Sequence, residues 1–376
     1  AANLVRKFRL EANHIMKNLY RLGKLMLITL FLFLLTSGSK PVFAQQEIPW
    51  LLRIPVTVKP YDIAVQTSSQ GWFTAPDANL IGKVQIVSQA PFSATVQTFS
   101  PPTAGSRPYS IAYHDGYVWF TQKDSASIGR LDIDDGVIEE YPIPTIGSQP
   151  TGIAVAPDGT VWFTENNTGK LGRVNPANGV ITEIAFANPA AGFTDIQVAG
   201  TGRVYALATG IGAIVEYIPS SGAFRTLTIS DPSGHPVGMP RSFMVSNAGG
   251  LYVATSNPAR IGGFLVGTLE IWLWTDYART DADLRSLSST SLGTSMLWAV
   301  DLTNAEAARI TASTRMIANT VSTEDSETSF FVGITVDGAT GTAWLAEEGQ
   351  NAIVLWKQPY GYLSYVPAVF RDSGVR

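Results

Sequence analysis

Three acidic residues in this chain close the same kind of short aromatic segment. Glu165 follows Val161-Trp162-Phe163-Thr164, Asp301 follows Leu297-Trp298-Ala299-Val300, and Glu347 follows Ala343-Trp344-Leu345-Ala346. Carboxylates brought to one opening raise one another's pKa or hold a hard cation through oxygen. Glu165, Asp301 and Glu347 are therefore candidate ligands for magnesium or calcium. Of the three histidines, His14 lies near the N-terminus and His114 sits in a turn beside Asp115-Gly116. His235 lies in Ser233-Gly234-His235-Pro236, the connection from the fourth to the fifth unit. There is no cysteine, hence no disulfide or thiolate metal site. No Gly-rich phosphate loop, Ser–His–Asp set or zinc spacing is visible. The net charge of −4 excludes the basic footprint of a nucleic-acid binder.

The elements that must position these groups repeat. Aromatics centre strand-like segments at Trp72, Trp119, Trp162, Tyr205, Tyr252, Trp298 and Trp344, at spacings of 47, 43, 43, 47, 46 and 46 residues. The third unit is the clearest. Pro150–Val155 reads as an inner strand, Pro157-Asp158-Gly159 as a tight turn, Val161–Thr164 as the second strand, Lys170–Val174 as the third and Ile181–Ile184 as the outer one. Seven such units predict an all-β fold, a seven-bladed β-propeller of four-stranded antiparallel blades. Low charge (15%) and abundant Gly (34) and Pro (22) suit many short strands joined by tight turns. The Gly of Ile128-Gly129-Arg130 and its counterparts leaves room for a neighbouring ring, and the repeated cations Arg107, Arg130, Arg173 and Lys170 are expected to cap strands or pair with acids. Either Trp50–Val58 or Tyr362–Phe370 would supply the strand that closes the ring.

The N-terminus reads as an export signal. Residues 1–15 look like an upstream extension and Met16 like a start. Lys17, Arg21 and Lys24 then precede the apolar run Leu25–Leu35, and Val42-Phe43-Ala44 offers a cleavage site before Gln45. The domain reading is thus 1–15 extension, 16–44 signal peptide or retained anchor, and 45–376 propeller. It implies a secreted, periplasmic or cell-surface protein, membrane-bound only if the leader is kept.

Pro150-Thr151-Gly152-Ile153-Ala154, Trp162-Phe163-Thr164-Glu165, Lys170-Leu171-Gly172-Arg173 and Glu139-Glu140-Tyr141-Pro142 resemble the repeat of the virginiamycin B lyase (streptogramin lyase) family. The resemblance is strongest over residues 57–185. It implies a seven-bladed propeller whose lyase members open a cyclic depsipeptide by elimination, using a histidine base, acidic residues and magnesium near the central channel. In that family the histidine directly follows the Pro that opens the inner strand, and a Glu follows 14 residues later. Here the histidine positions hold Tyr61, Tyr109, Thr151, Thr194, Arg241 and Val332, with the sixth unit unassigned. The Glu positions hold Ala75, Gln122, Glu165, Ala208, Thr255, Asp301 and Glu347.

Two functions follow from these residues. One is a binding propeller for a small molecule or an extracellular protein or peptide, with Tyr61, Tyr109, Thr151, Arg241 and Gln122 lining its binding face and Leu269–Trp274 offering an apolar ridge. The other is a metal-dependent lyase on a cyclic depsipeptide or lactone, with Glu165 or Glu347 on the metal and His235 or Tyr109 as base.

Overall fold

The computed structural model describes residues 51–356, apart from 90–91, 231–237, 246–249, 257–258, 266–269, 277–283, 290–295, 302–305, 312–315, 323–330 and 338–339. The leader, His235 and Tyr362–Phe370 therefore lie outside the described residues. Among the described residues no helix is long and apolar enough to cross a membrane.

Among the described residues 27 of 28 strands belong to antiparallel meanders. β1 (Leu51–Pro55) stands apart in sequence from the sheet it joins. The first sheet is β2 (Ile63–Thr67), β3 (Gln70–Ala75), β4 (Leu80–Gln89) and β5 (Phe92–Phe99). The second is β6 (Pro108–His114), β7 (Tyr117–Gln122), β8 (Ser127–Asp132) and β9 (Ile138–Pro142). The third is β10 (Pro150–Val155), β11 (Val161–Glu165), β12 (Lys170–Val174) and β13 (Ile181–Ala185). Two further meanders follow: β14 (Phe193–Val198), β15 (Val204–Ala208), β16 (Ala213–Ile218) and β17 (Ala223–Ser230), then β18 (Met239–Val245), β19 (Gly250–Ser256), β20 (Arg260–Leu265) and β21 (Glu270–Asp276). β22 (Leu284–Ser289), β23 (Met296–Asp301), β24 (Glu306–Thr311) and β25 (Met316–Ser322) form the next sheet. β26 (Phe331–Val336), β27 (Ala343–Glu347) and β28 (Ala352–Trp356) are the last strands among the described residues.

The expectation of seven separate blades is corrected. The strands form six sheets, five of four strands and one of eight. The eight-stranded sheet arises because the outer strands β17 and β21 pair in parallel, Thr228 to Glu270, Ile229 to Ile271 and Ser230 to Trp272. Outer strands of successive meanders run the same way, and each leaves a row of unpaired N–H and C=O groups. The pairing falls at the C-terminal end of β17. The segment expected to form an apolar ridge is largely β21, whose backbone is paired on both sides.

Ring closure falls to the N-terminal candidate. β1 adds to β28 with Leu51 opposite Trp356 and Pro55 opposite Ala352. Apolar side chains fill the gaps between successive meanders. Trp72 and Ile81 pack on Ile111, Val118, Phe120 and Leu131, and Trp119 and Ile128 pack on Ile153, Val161 and Phe163. Even within the eight-stranded sheet the two halves pack together, Tyr205, Leu207 and Ile214 against Phe243, Leu251 and Val253. The buried rings explain the glycines: a Cβ on Gly82, Gly129 or Gly172 would lie 2.0, 2.2 or 1.9 Å from the ring of Phe73, Phe120 or Phe163.

Candidate functional site: the central channel

The inner strands β2, β6, β10, β14, β18, β22 and β26 surround one cavity of about 790 Å³. Register breaks at the start of most of these strands aim side chains into it. In β10, for example, Pro150 pairs with Glu165 and the next pair is Ile153 with Phe163, so Thr151 and Gly152 bulge out of the ladder. The buried threonine of each Trp-Phe-Thr segment holds the entry of its inner strand in place. Thr74 Oγ1 accepts from Asp62 N at 3.1 Å and donates to Tyr109 O at 2.8 Å. Thr121 Oγ1 likewise accepts from Ser110 N and donates to Thr151 O, each at 3.0 Å. Thr74 and Thr121 thus tie their own sheets to the next around the channel wall; at Thr164 the link runs through Thr151 Oγ1, which donates to Phe193 O at 3.1 Å. The recurrence of Thr after Trp-Phe was the signal for it.

Four of the expected binding residues, Tyr61, Tyr109, Thr151 and Arg241, line this cavity, as do Thr194 and Val332. The tyrosine rings stand 4.5 Å apart at 39° with their hydroxyls hydrogen-bonded. Lys123 Nζ lies 4.6 Å from the centre of the Tyr109 ring. Burial, reinforced by the charge of Arg107, pulls the Lys123 pKa down. Arg241 Nε donates to Ser256 Oγ at 2.8 Å. The unassigned sixth position is Arg285, since Leu284 pairs with Asp301 and Ser286 with Val300. No histidine occupies any of these positions.

The fifth, Gln122, and the expected acids lie elsewhere. Gln122 is buried and spent on structure, donating from Nε2 to Glu140 and accepting from Ser127 Oγ at 2.9 Å. Glu165 is buried at the end of β11, with Oε2 accepting from Thr168 Oγ1 at 2.7 Å. Glu347 is buried and ion-paired with Arg53 at 2.7 Å. None of the three borders the cavity. Asp301 ends β23, but its side chain lies outside the description. Among the described residues no three His, Asp or Glu side chains converge as a metal-binding group. The magnesium implied by the resemblance therefore does not fit the described acids.

Two cavity-lining acids escaped the sequence reading. Asp62 and Asp195 each stand one residue beyond a position expected to hold the family's histidine. Asp62 accepts three hydrogen bonds, from Ile63 N at 2.9 Å, Ser110 Oγ at 2.8 Å and Ile111 N at 3.0 Å. Burial still raises its pKa against these donors. Asp195 accepts from Ile196 N alone among the described bonds, at 2.8 Å. Burial, with a contribution from the charge of Asp62, pushes its pKa up to about 7. The channel thus holds one carboxylate fixed by three donors and one poised to exchange a proton near neutrality.

The virginiamycin B lyase family model matches residues 52–262, more than half of the chain. No curated protein sequence matches significantly. Among solved structures, selenomethionine virginiamycin B lyase from Staphylococcus aureus aligns at 23% identity and TM-score 0.71, covering 82% of this chain and 99% of that one. A catalytically inactive variant of that enzyme with quinupristin aligns at 24% and 0.72, with coverage of 82% and 99%. A streptogramin B lyase aligns at 22% and 0.70, covering 81% and 96%. At these identities the structural likeness speaks for the fold.

Proposed function

The chain belongs to the virginiamycin B lyase family, and we propose that it is an exported propeller that binds a small molecule in its channel without transforming it. One observation carries this reading: the 790 Å³ cavity presents paired tyrosine hydroxyls, Thr151, Arg241 and Asp195 together, a mixture of donors, acceptors and both charges. Such convergent polar groups in a preformed cavity are the usual make-up of a ligand site. The family's elimination needs a base within hydrogen-bond reach of the substrate, and the positions of its histidine carry other side chains here. Losing such a base costs about 10²–10⁴ in rate.

Asp195 favours a second reading. A carboxylate titrating near 7 in the channel has the pKa of a working general base. It could draw a proton from a cyclic depsipeptide or lactone while the ring C–O bond breaks. That step yields a ring-opened isomer of unchanged mass. Incubating the protein with a type B streptogramin separates the readings. Saturable heat of binding with no isomer on liquid chromatography supports the binding protein. Formation of the isomer, abolished in Asp195→Asn, supports the lyase.

A further inference from the structure

The repeat supplies an internal comparison away from the channel. In the second sheet Arg130 stands in register between Trp119 of β7 and Glu139 of β9. Its guanidinium lies 4.8 Å from the Tyr117 ring, 5.5 Å from Trp119 and 5.7 Å from Tyr141. It pairs with Glu139, which also accepts from the Tyr141 hydroxyl. Its Nη1 donates to Pro176 O, in the β12–β13 turn of the next sheet, at 3.1 Å. A carboxylate and a phenol thus seal the gap between the second and third sheets around one arginine.

The third sheet keeps the arginine and loses its partners. Arg173 stands between Trp162 and Thr182 in the same register, and Ile184 takes the place of Tyr141. Arg173 is exposed and has no hydrogen-bond or ion-pair partner among the described residues. A cavity of about 480 Å³ opens beside it, lined by Trp162, Arg203, the Gly200–Gly202 turn and Pro219. Pro219 follows β16 as Pro176 follows β12. The other charges on the cavity wall are engaged. Arg203 donates to Glu216 at 2.7 Å, and Asp158 accepts from Thr160 N at 2.9 Å.

We infer that this inter-sheet cleft binds a small ligand bearing a carboxylate beside an aryl ring, the pair of groups that Glu139 and Tyr141 provide internally one sheet earlier. Arg173 takes the carboxylate in a charge-assisted hydrogen bond, and the ring lies against Pro219 and the Gly200–Gly202 turn, above the buried Trp162. The inference is independent of what occupies the channel.

N-acetyl-tyrosine, titrated calorimetrically into the protein, is the probe, with N-acetyl-tyrosinamide as the control that lacks the carboxylate. The acid should bind saturably and the amide about tenfold more weakly or worse, the scale of one lost charged hydrogen bond. Arg173→Met, which keeps much of the stem, should lose about tenfold in affinity for the acid. The double variant Thr182→Glu/Ile184→Tyr rebuilds the internal seal and should abolish binding while the melting temperature holds or rises. Absence of saturable binding up to about 10 mM, weaker than about −3 kcal/mol, overturns the inference. So does unchanged binding in Arg173→Met, which decides the matter alone if the double variant does not fold.

Discussion

Gln122 Nε2 donates to Glu140 Oε1 at 2.6 Å, and one sheet later the same two positions are held by a pair of acids, Glu165 and Glu183. Each outer-strand glutamate ties down the linker that precedes its sheet. Glu140 accepts from Thr103 N at 3.1 Å and Glu183 from Thr145 N at 3.2 Å. In the second sheet an amide hydrogen meets the glutamate. In the third, Glu165 Oε1 is buried without a donor, so a proton must stand in for that hydrogen. Burial and the facing Glu183 raise the Glu165 pKa to about 7. Glu183 moves the other way: burial would raise it, but Thr145, Lys170 and Glu165 hold it below its ordinary value.

The pH dependence follows from the sign of the Glu165 shift. Its pKa is raised on folding, so the folded chain binds this proton more tightly than the unfolded one. Stability contributed here is intact below about pH 4.5 and is lost progressively as pH rises through about 7. Glu165→Gln supplies the amide hydrogen of Gln122 permanently. Urea unfolding at pH 5 and pH 8 should show wild type weakening between the two and the variant holding, with the variant about 1–3 kcal/mol more stable at pH 8. A variant no more stable than wild type at pH 8 refutes the shared proton.

Asp62 and Asp195 should respond oppositely to one substitution. Asp195 is raised to about 7, so it too weakens the fold as pH climbs from about 4 through 7, and Asp195→Asn removes that loss while keeping an oxygen for Ile196 N. Asp62→Asn instead replaces one oxygen that receives donors with a donor, and should cost about 1–3 kcal/mol at pH 7. Thermal melts at pH 7.5 should move up for Asp195→Asn and down for Asp62→Asn. Equal shifts would mean that the number of donors does not distinguish the two sites.

The recurring aromatic segments made the meanders legible, because each buried Trp or Phe needs the same neighbours in every sheet. The channel positions of Tyr61, Tyr109, Thr151 and Arg241 followed from strand order alone. Glu165, Glu347 and Gln122 lie away from the channel for one reason. The end of β11 or β27 is near the channel mouth in sequence terms, but their side chains turn toward the third and outer strands, where they clip Glu183, Arg53 and Glu140. Asp195 was missed because a bulge between Phe193 and Asp195 advances the inward-facing residues by one, which alternation cannot foretell, and Asp62 because it stands just before β2. The merger of β17 with β21 rests on the pairing of Thr228–Ser230 with Glu270–Trp272, which no motif marks. Arg173 looked like Arg130 because the partners that differ, Thr182 and Ile184, lie on another strand.

Gly129→Ala should be among the most damaging methyl additions in the chain. Gly129 faces Phe120 across β7–β8, and the new Cβ would sit 2.2 Å from the ring. Phe120 is fully buried and packs on the first sheet, so the ring has no room to retreat. Overpacking of this kind costs about 3 kcal/mol. The companion Phe120→Leu/Gly129→Ala should recover part of the loss by shortening the obstructing side chain. Melting temperatures of the two variants and wild type test the ranking.

Ring closure places its own demand on Arg53. β1 contributes backbone pairing to β28, and Arg53 adds a two-pronged ion pair, Nε to Glu347 Oε2 at 2.7 Å and Nη2 to Oε1 at 3.1 Å. Glu347 is fully buried and Arg53 is 25% exposed, so water screens the pair only in part. Arg53→Met strips the guanidinium from a carboxylate that stays buried, which should cost about 2–3 kcal/mol. Arg53→Lys should rescue little, because an ammonium cannot match both carboxylate oxygens. Arg53→Met/Glu347→Gln should regain part of the loss, since no buried charge remains. If the latch also holds β1 in place, amides of β28 should exchange faster with deuterium in Arg53→Met while those of β11 stay unchanged. Unaltered exchange at β28 with the stability loss intact would assign Arg53 to local charge balance rather than to closing the ring.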